Sequence, residues 1–246
     1  MMLPNSGLLT ERRRSYVDVQ CRDDPSSGSP TAGTEVAFVQ RLPQALSYAA
    51  NLDRGDHAVL FYDNLVVAAE YFCAYIDEGI KRQEATCFIG LPHVRYEKLF
   101  EQVGVKVAQL ENCGYLSHFS IQDFCMEKER LNENMAFLNI KNLLRDSNEP
   151  GCKGIRIIHI QELPMEHNAS FQDVMEFEQW LKTLYNYPVS AICAYDAKTV
   201  LDDAPPHLFT DLLMVHGHCF FQGVAMATDM LLGTQMGASS AKLRSP

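Results

Sequence analysis

The chain has 246 residues, 47% of them hydrophobic, and a formal net charge of −10 from 21 Lys+Arg against 31 Asp+Glu. That length suits one α/β domain with tails and a substantial core, and the acidic balance argues against direct nucleic-acid binding and against an anionic membrane surface. No apolar stretch approaches the ~18 residues of a spanning helix, and the N-terminus shows no secretory h-region.

Residues 1–35 differ in composition from the rest of the chain. The run "RDDPSSGSPTAGTE" holds no large apolar residue and reads as a flexible tail, with Arg12, Arg13 and Arg14 either solvated or a docking element. Residues 233–246 read as a second loose tail, which leaves 36–232 as one α/β domain. "HAVLFY" predicts a strand, and Asn64 is placed to cap a helix running to about Arg82. "ATCFIGL" predicts a second strand, followed by a helix from Pro92 to about Val103 and a short strand in "YLSHFSI". A helix is expected from Glu127 to about Asp146, with Met135, Leu138, Leu143 and Leu144 on one face. "GIRIIHI" predicts a strand. Ser170 and Asp173 then form a capping-box pattern at the start of a helix with Phe171, Val174, Met175, Phe177, Leu181 and Leu184 as its apolar stripe. "VSAICAY" is another strand, "PPHLFTDLLMVHG" a short helix ending near Gly217, and "CFFQGV" a last strand. Near-continuous apolar strands alternating with helices predict a three-layer α/β fold, a mostly parallel sheet covered on both faces.

In such sheets ligands bind beyond the carboxyl ends of the strands. That rule selects Tyr62 and Asp63, Gly90 to His93, Gln161 and Glu162, and Tyr195 and Asp196. The first strand-to-helix corner, "LFYDN", is where a phosphate loop would stand. It has no glycine before Gly79, and its first lysine, Lys81, lies roughly 25 Å along the helix at about 1.5 Å per residue. Asp63 would repel a phosphate while complementing the helix dipole. A P-loop ATPase is therefore not expected, and the corner suits a neutral or cationic ligand.

The eight cysteines (Cys21, Cys73, Cys87, Cys113, Cys125, Cys152, Cys193 and Cys219) form no CxxC pair and read as mostly reduced, buried thiols of a cytoplasmic protein. "HGHC" places His216, His218 and Cys219 within four residues, after a helix holding Asp211. The cluster is open to two readings: part of a zinc site lacking its remaining ligands, or a helix-ending histidine beside a buried strand cysteine. No GxSxG or recognised cysteine-nucleophile signature is present. Carboxylates at strand ends either do acid–base work or cap helices, and His57 at the start of the first strand reads as structural. No catalytic residue, metal or cofactor is expected.

Taken together, "GDHAVLFYDN" with its long helix, "GIRIIHIQELP", "VMEFEQWLKTLYNYPVSAICAYD" and "LLMVHG" resemble the MEDS sensory domain, named for methanogens, methylotrophs and a dichloromethane-responsive regulator. The resemblance covers about residues 40–225 and rests on motif order and spacing. It implies a RecA/KaiC-like core without a P-loop, a sensory or regulatory role, and small hydrocarbon derivatives as proposed ligands. The positions it carries over are His57, Phe61, Tyr62, Asp63, Arg156, Glu162, Glu178, Cys193, Tyr195, Asp196 and His216. Of these, Tyr62, Asp63, Glu162, Tyr195, Asp196 and His216 are expected to line the ligand site, and His57, Phe61, Arg156, Glu178 and Cys193 to be structural. Asp63 stands where Glu is common in the family and Gly217 where Pro is common. No helix-turn-helix or kinase module is seen in the chain, so a signal is expected to pass through a regulatory partner protein or self-association. The competing readings are a carboxylate- or metal-dependent enzyme on the same fold and an interaction module with a vestigial pocket.

Overall fold

A computed structural model describes residues 43–127, 130–146, 152–161, 171–221 and 223–228. Helical residues 43–50 (α1) lead into β1 (His57–Tyr62), α2 (Leu65–Arg82), β2 (Glu84–Ile89), α3 (His93–Gln102), α4 (Val107–Asn112) and β3 (Leu116–Phe119). α5 (Ile121–Cys125), the short strands β4 (Met126–Glu127) and β5 (Arg130–Leu131), α6 (Glu133–Asp146) and β6 (Gly154–Gln161) come next. The chain ends its described part with α7 (Phe171–Thr183), β7 (Val189–Asp196), α8 (Leu208–Val215), β8 (His218–Phe221) and β9 (Val224–Ala227).

The strands form a seven-stranded sheet in the order β3-β2-β6-β7-β1-β8-β9, while β4 and β5 pair separately. Every neighbour pair of the large sheet is parallel except β8 with β9. β1 is therefore an interior strand, hydrogen-bonded to β7 on one side and β8 on the other. Both faces of β1, β6 and β7 are buried, which is why these strands read as unbroken apolar runs.

Side chains alternate between the two faces. Ala58, Leu60, Ile158, Ile160, Ile192, Ala194 and Phe220 pack under α1, α2, α3 and α4. Val59, Phe61, Ile155, Ile157, Ala191, Cys193, Tyr195 and Cys219 pack under α6, α7 and α8. The fold is thus the three-layer, mostly parallel α/β sandwich expected from the pattern.

Local chemistry sets the element ends. The Asn64 side chain accepts from the Val66 N–H at 2.8 Å and caps α2, as its position implies. Gly90 ends β2 with φ +125°, and a Cβ there would lie 2.2 Å from the Ile160 carbonyl oxygen, so only glycine fits this crossing beside β6.

Three expectations change. α6 begins at Glu133, not Glu127, because Met126–Glu127 pairs antiparallel with Arg130–Leu131 as β4 and β5. Its buried face is carried by Ala136 and Ile140, while Leu138 is 57% exposed. The last strand is followed by an antiparallel partner, β9, whose four half-buried residues give no strong sequence signal. Ser170 and Glu162 lie outside the described residues.

Candidate functional site

Polar side chains in a core must be matched by partners, since an unpaired buried group forfeits its hydration without return. Two buried charged centres occupy opposite faces of the sheet. The first is Arg156, in the middle of β6 and 0% exposed. Its Nε donates to Glu84 Oε2 at 2.7 Å, Nη1 donates to the Ala50 and Tyr75 carbonyls at 3.0 Å each, and Nη2 donates to the Leu52 carbonyl at 3.5 Å. Its guanidinium also stacks over the Tyr75 ring, 4.3 Å from the centroid. Gly79 of α2 makes room for it, since a Cβ there would sit 2.7 Å from Arg156 Cδ. This is a saturated structural anchor.

The second centre is built on Glu178. The apolar stripe of α7, Val174, Phe177 and Leu181, faces the sheet, and Glu178 falls on that same stripe. It is 0% exposed, as are Cys193 and Tyr195, with His57, His159 and His216 buried beside it. His57 is the first residue of β1, Cys193 and Tyr195 alternate onto the same face of β7, His159 comes from β6, and His216 caps the C-terminus of α8. The N–H of Gly217, which a proline would lack, donates to the His57 carbonyl at 2.8 Å and ties the α8–β8 turn to β1. The glycine after His216 thus supplies a hydrogen bond that seats it.

Geometry divides the Glu178 carboxylate in two. Oε1 accepts the Tyr195 hydroxyl and lies 3.8 Å from His159 Nδ1. Oε2 lies 3.0 Å from His57 Nε2 and 3.2 Å from His216 Nε2. His216 donates its Nδ1–H to the Leu212 carbonyl at 2.6 Å, which turns its Nε2 towards Glu178. His57 Nε2 lies 3.4 Å from Cys193 Sγ, and the His57 and His216 rings sit 3.9 Å apart. Despite this crowding, Glu178 Oε2, His216 Nε2, His57 Nδ1 and His159 Nδ1 are buried without a hydrogen bond of acceptable alignment.

The electrostatics follow from burial and proximity. Burial alone would raise the Glu178 carboxyl, but the His216, His159 and His57 rings outweigh it and hold it well below the usual carboxylate range. Burial, seconded by His216, lowers His57 to about 4 against the pull of Glu178. Burial and the Glu178 charge push the Cys193 thiol and the Tyr195 phenol well up. The arrangement can hold a cation or exchange a proton; a thiol so placed is inert as a free nucleophile.

The residues expected at one ligand edge are split by the register. Phe61 pairs with Tyr195 and Tyr62 with Asp196, so the two Tyr-Asp corners are offset by one residue and their tyrosines face opposite sides of the sheet. Tyr195 and His216 enter the Glu178 cluster. Asp63 is exposed at the sheet edge. Asp196 accepts from the Thr199 N–H at 2.7 Å and from its hydroxyl at 2.9 Å, capping the following turn. "HGHC" is not one ligand set: His218 lies on the α2 side, bonded to Tyr48 at 2.7 Å and close to Asp56 at 3.2 Å, while Cys219 is core. His57, Glu178 and Cys193, expected to be structural, belong to the cluster, and so does His159, which sequence reasoning does not single out. A charged or imidazole side chain inside an apolar stripe or strand is the signal that could have found it.

The family model for MEDS, described as methanogen/methylotroph, DcmR sensory domain, matches residues 56–217, more than half of the chain. Among solved structures the chain is similar to a KaiC-like protein from the hyperthermophilic archaeon Pyrococcus horikoshii OT3, at 13% identity over 68% of this chain and 70% of that one, with a TM-score of 0.45. No curated protein matches it.

Proposed function

Because this chain belongs to the MEDS family of sensory domains, we propose that it is a non-catalytic sensory and regulatory protein that responds to a small molecule through the Glu178 cluster and passes the signal to a partner protein or a second copy of itself. The observation that carries this reading is a fully buried carboxylate among His57, His159, His216, Cys193 and Tyr195 with polar atoms left unmatched. A purely structural centre would be satisfied, as Arg156 is. The burial of the cluster favours occupancy sensing over turnover, since turnover needs a path for both substrate and product. Small hydrocarbon derivatives, the class implied by the family, are the first ligands to test.

Thermal unfolding in the presence of short alcohols, halocarbons, amines and nucleotides tests the reading. One organic class at about 100-fold its Kd is expected to raise Tm by about 5 °C or more, with an accompanying change in oligomeric state or partner capture. No stabilisation by any class would overturn it.

A further inference from the structure

We propose that His57, Glu178, Cys193 and His216 form a site for one divalent first-row transition-metal ion of the zinc type. Among the described residues these four offer ligand atoms that all lie within 4.8 Å of one another. Ligands about 2.0–2.1 Å from a tetrahedral ion stand roughly 3.3 Å apart. The spacings of Glu178 Oε2 from His57 Nε2 (3.0 Å) and from His216 Nε2 (3.2 Å), and of His57 Nε2 from Cys193 Sγ (3.4 Å), are edges of that size. Two imidazoles, one carboxylate and one thiolate make a donor set that suits zinc and its neighbours rather than magnesium or calcium, which take oxygen.

The unmatched atoms give an independent reason. His216 commits its Nδ1–H to the Leu212 carbonyl, and its Nε2 stands 3.2 Å from Glu178 Oε2. Both atoms are buried and neither makes a hydrogen bond of good alignment. A cation coordinated by both would give each of them a partner. The surrounding contacts are those of an outer shell: a ligand histidine donating its other N–H to a backbone carbonyl, and a ligand carboxylate whose second oxygen accepts a hydroxyl, here Tyr195. On binding, Cys193 gives up its thiol proton to solvent and the metal–sulfur bond forms in its place.

The ion is the group of the cluster that a small-molecule ligand would meet, and only that signalling role rests on the sensory reading. Purified protein is loaded with zinc, dialysed and analysed for metal. About one equivalent is expected in the wild type, with affinity at least tenfold lower in Glu178→Gln, His216→Gln and Cys193→Ser. Cobalt(II) in place of zinc is expected to give a near-ultraviolet thiolate-to-metal absorption that Cys193→Ser loses and a His218→Ala/Cys219→Ala double variant keeps. If Glu178→Gln does not fold, Cys193→Ser, which retains the carboxylate and both rings, carries the comparison. Binding of less than a tenth of an equivalent by the wild type, or equal affinity and absorption in folded Cys193→Ser, overturns the proposal. Stabilisation by an organic ligand in such metal-free protein would overturn this inference alone. One bound equivalent with no ligand response and no change of partner would overturn the sensory reading alone.

Discussion

On one face of the sheet a buried cation is surrounded by its partners; on the other a buried carboxylate is surrounded by atoms that do not all pair with it. Arg156 reaches Glu84 and the carbonyls of Ala50, Leu52 and Tyr75. Glu178 has one oxygen held by Tyr195 and the other left without a hydrogen bond. Both are charged residues on otherwise apolar, sheet-packed faces of their elements. Burial of a charge is common to the two centres, and the matching of their polar atoms is what differs.

The largest effect is expected where satisfaction is complete. Arg156→Leu removes the close buried partner of Glu84, which keeps only the half-exposed Arg54 at 3.5 Å, and should lower the unfolding free energy measured in urea by about 3–5 kcal/mol. A loss under about 1 kcal/mol would mean that the anchor is dispensable and the contrast false.

The second test is the pH profile of metal-free protein. The His57 ring resists protonation down to about 4 in the folded state against 6.5 when unfolded. Between those values the unfolded chain binds more protons, so this contribution is intact above pH 6.5 and falls as pH drops towards 4, by up to about 3 kcal/mol. His57→Gln should flatten that slope and Arg156→Leu should leave it. An unchanged slope in His57→Gln would place the acid sensitivity elsewhere.

Tyr195→Phe removes the donor to Glu178 Oε1 and should lower stability by about 2 kcal/mol in chemical denaturation. A neutral result would show that Oε1 is matched by His159 instead. The smallest effect is expected for Asp63→Ala: the side chain is exposed, and its thermal unfolding should lie within about 0.5 kcal/mol of wild type. A larger loss would show that the corner after β1 helps to hold the fold.

The sheet was legible because doubly buried strands such as "HAVLFY" and "VSAICAY" stand out as apolar runs between capped helices. α6 was misplaced at its start because Met126–Glu127 and Arg130–Leu131 are two-residue strands too short to leave a periodicity. The cluster could not be read from spacing. Its members come from β1, β6, α7, β7 and the α8–β8 turn, and only the parallel register of β1 between β7 and β8 brings them together. "HGHC" holds a helix-ending histidine and a buried strand cysteine, the second of its two readings, and His218 and Cys219 point to opposite faces as strand neighbours do.

The interior place of β1 also sets an order of assembly. His57 meets Cys193 across 136 positions of sequence, and His216 arrives later still in the chain. Contacts of this range raise the contact order of the fold, which slows folding. A chain emerging from the ribosome therefore holds its first histidine long before the partners exist, and the cluster becomes whole only as α8 and β8 dock on β1. An occupant that requires all of its ligands would bind at the end of folding, and would mark chains that have completed it.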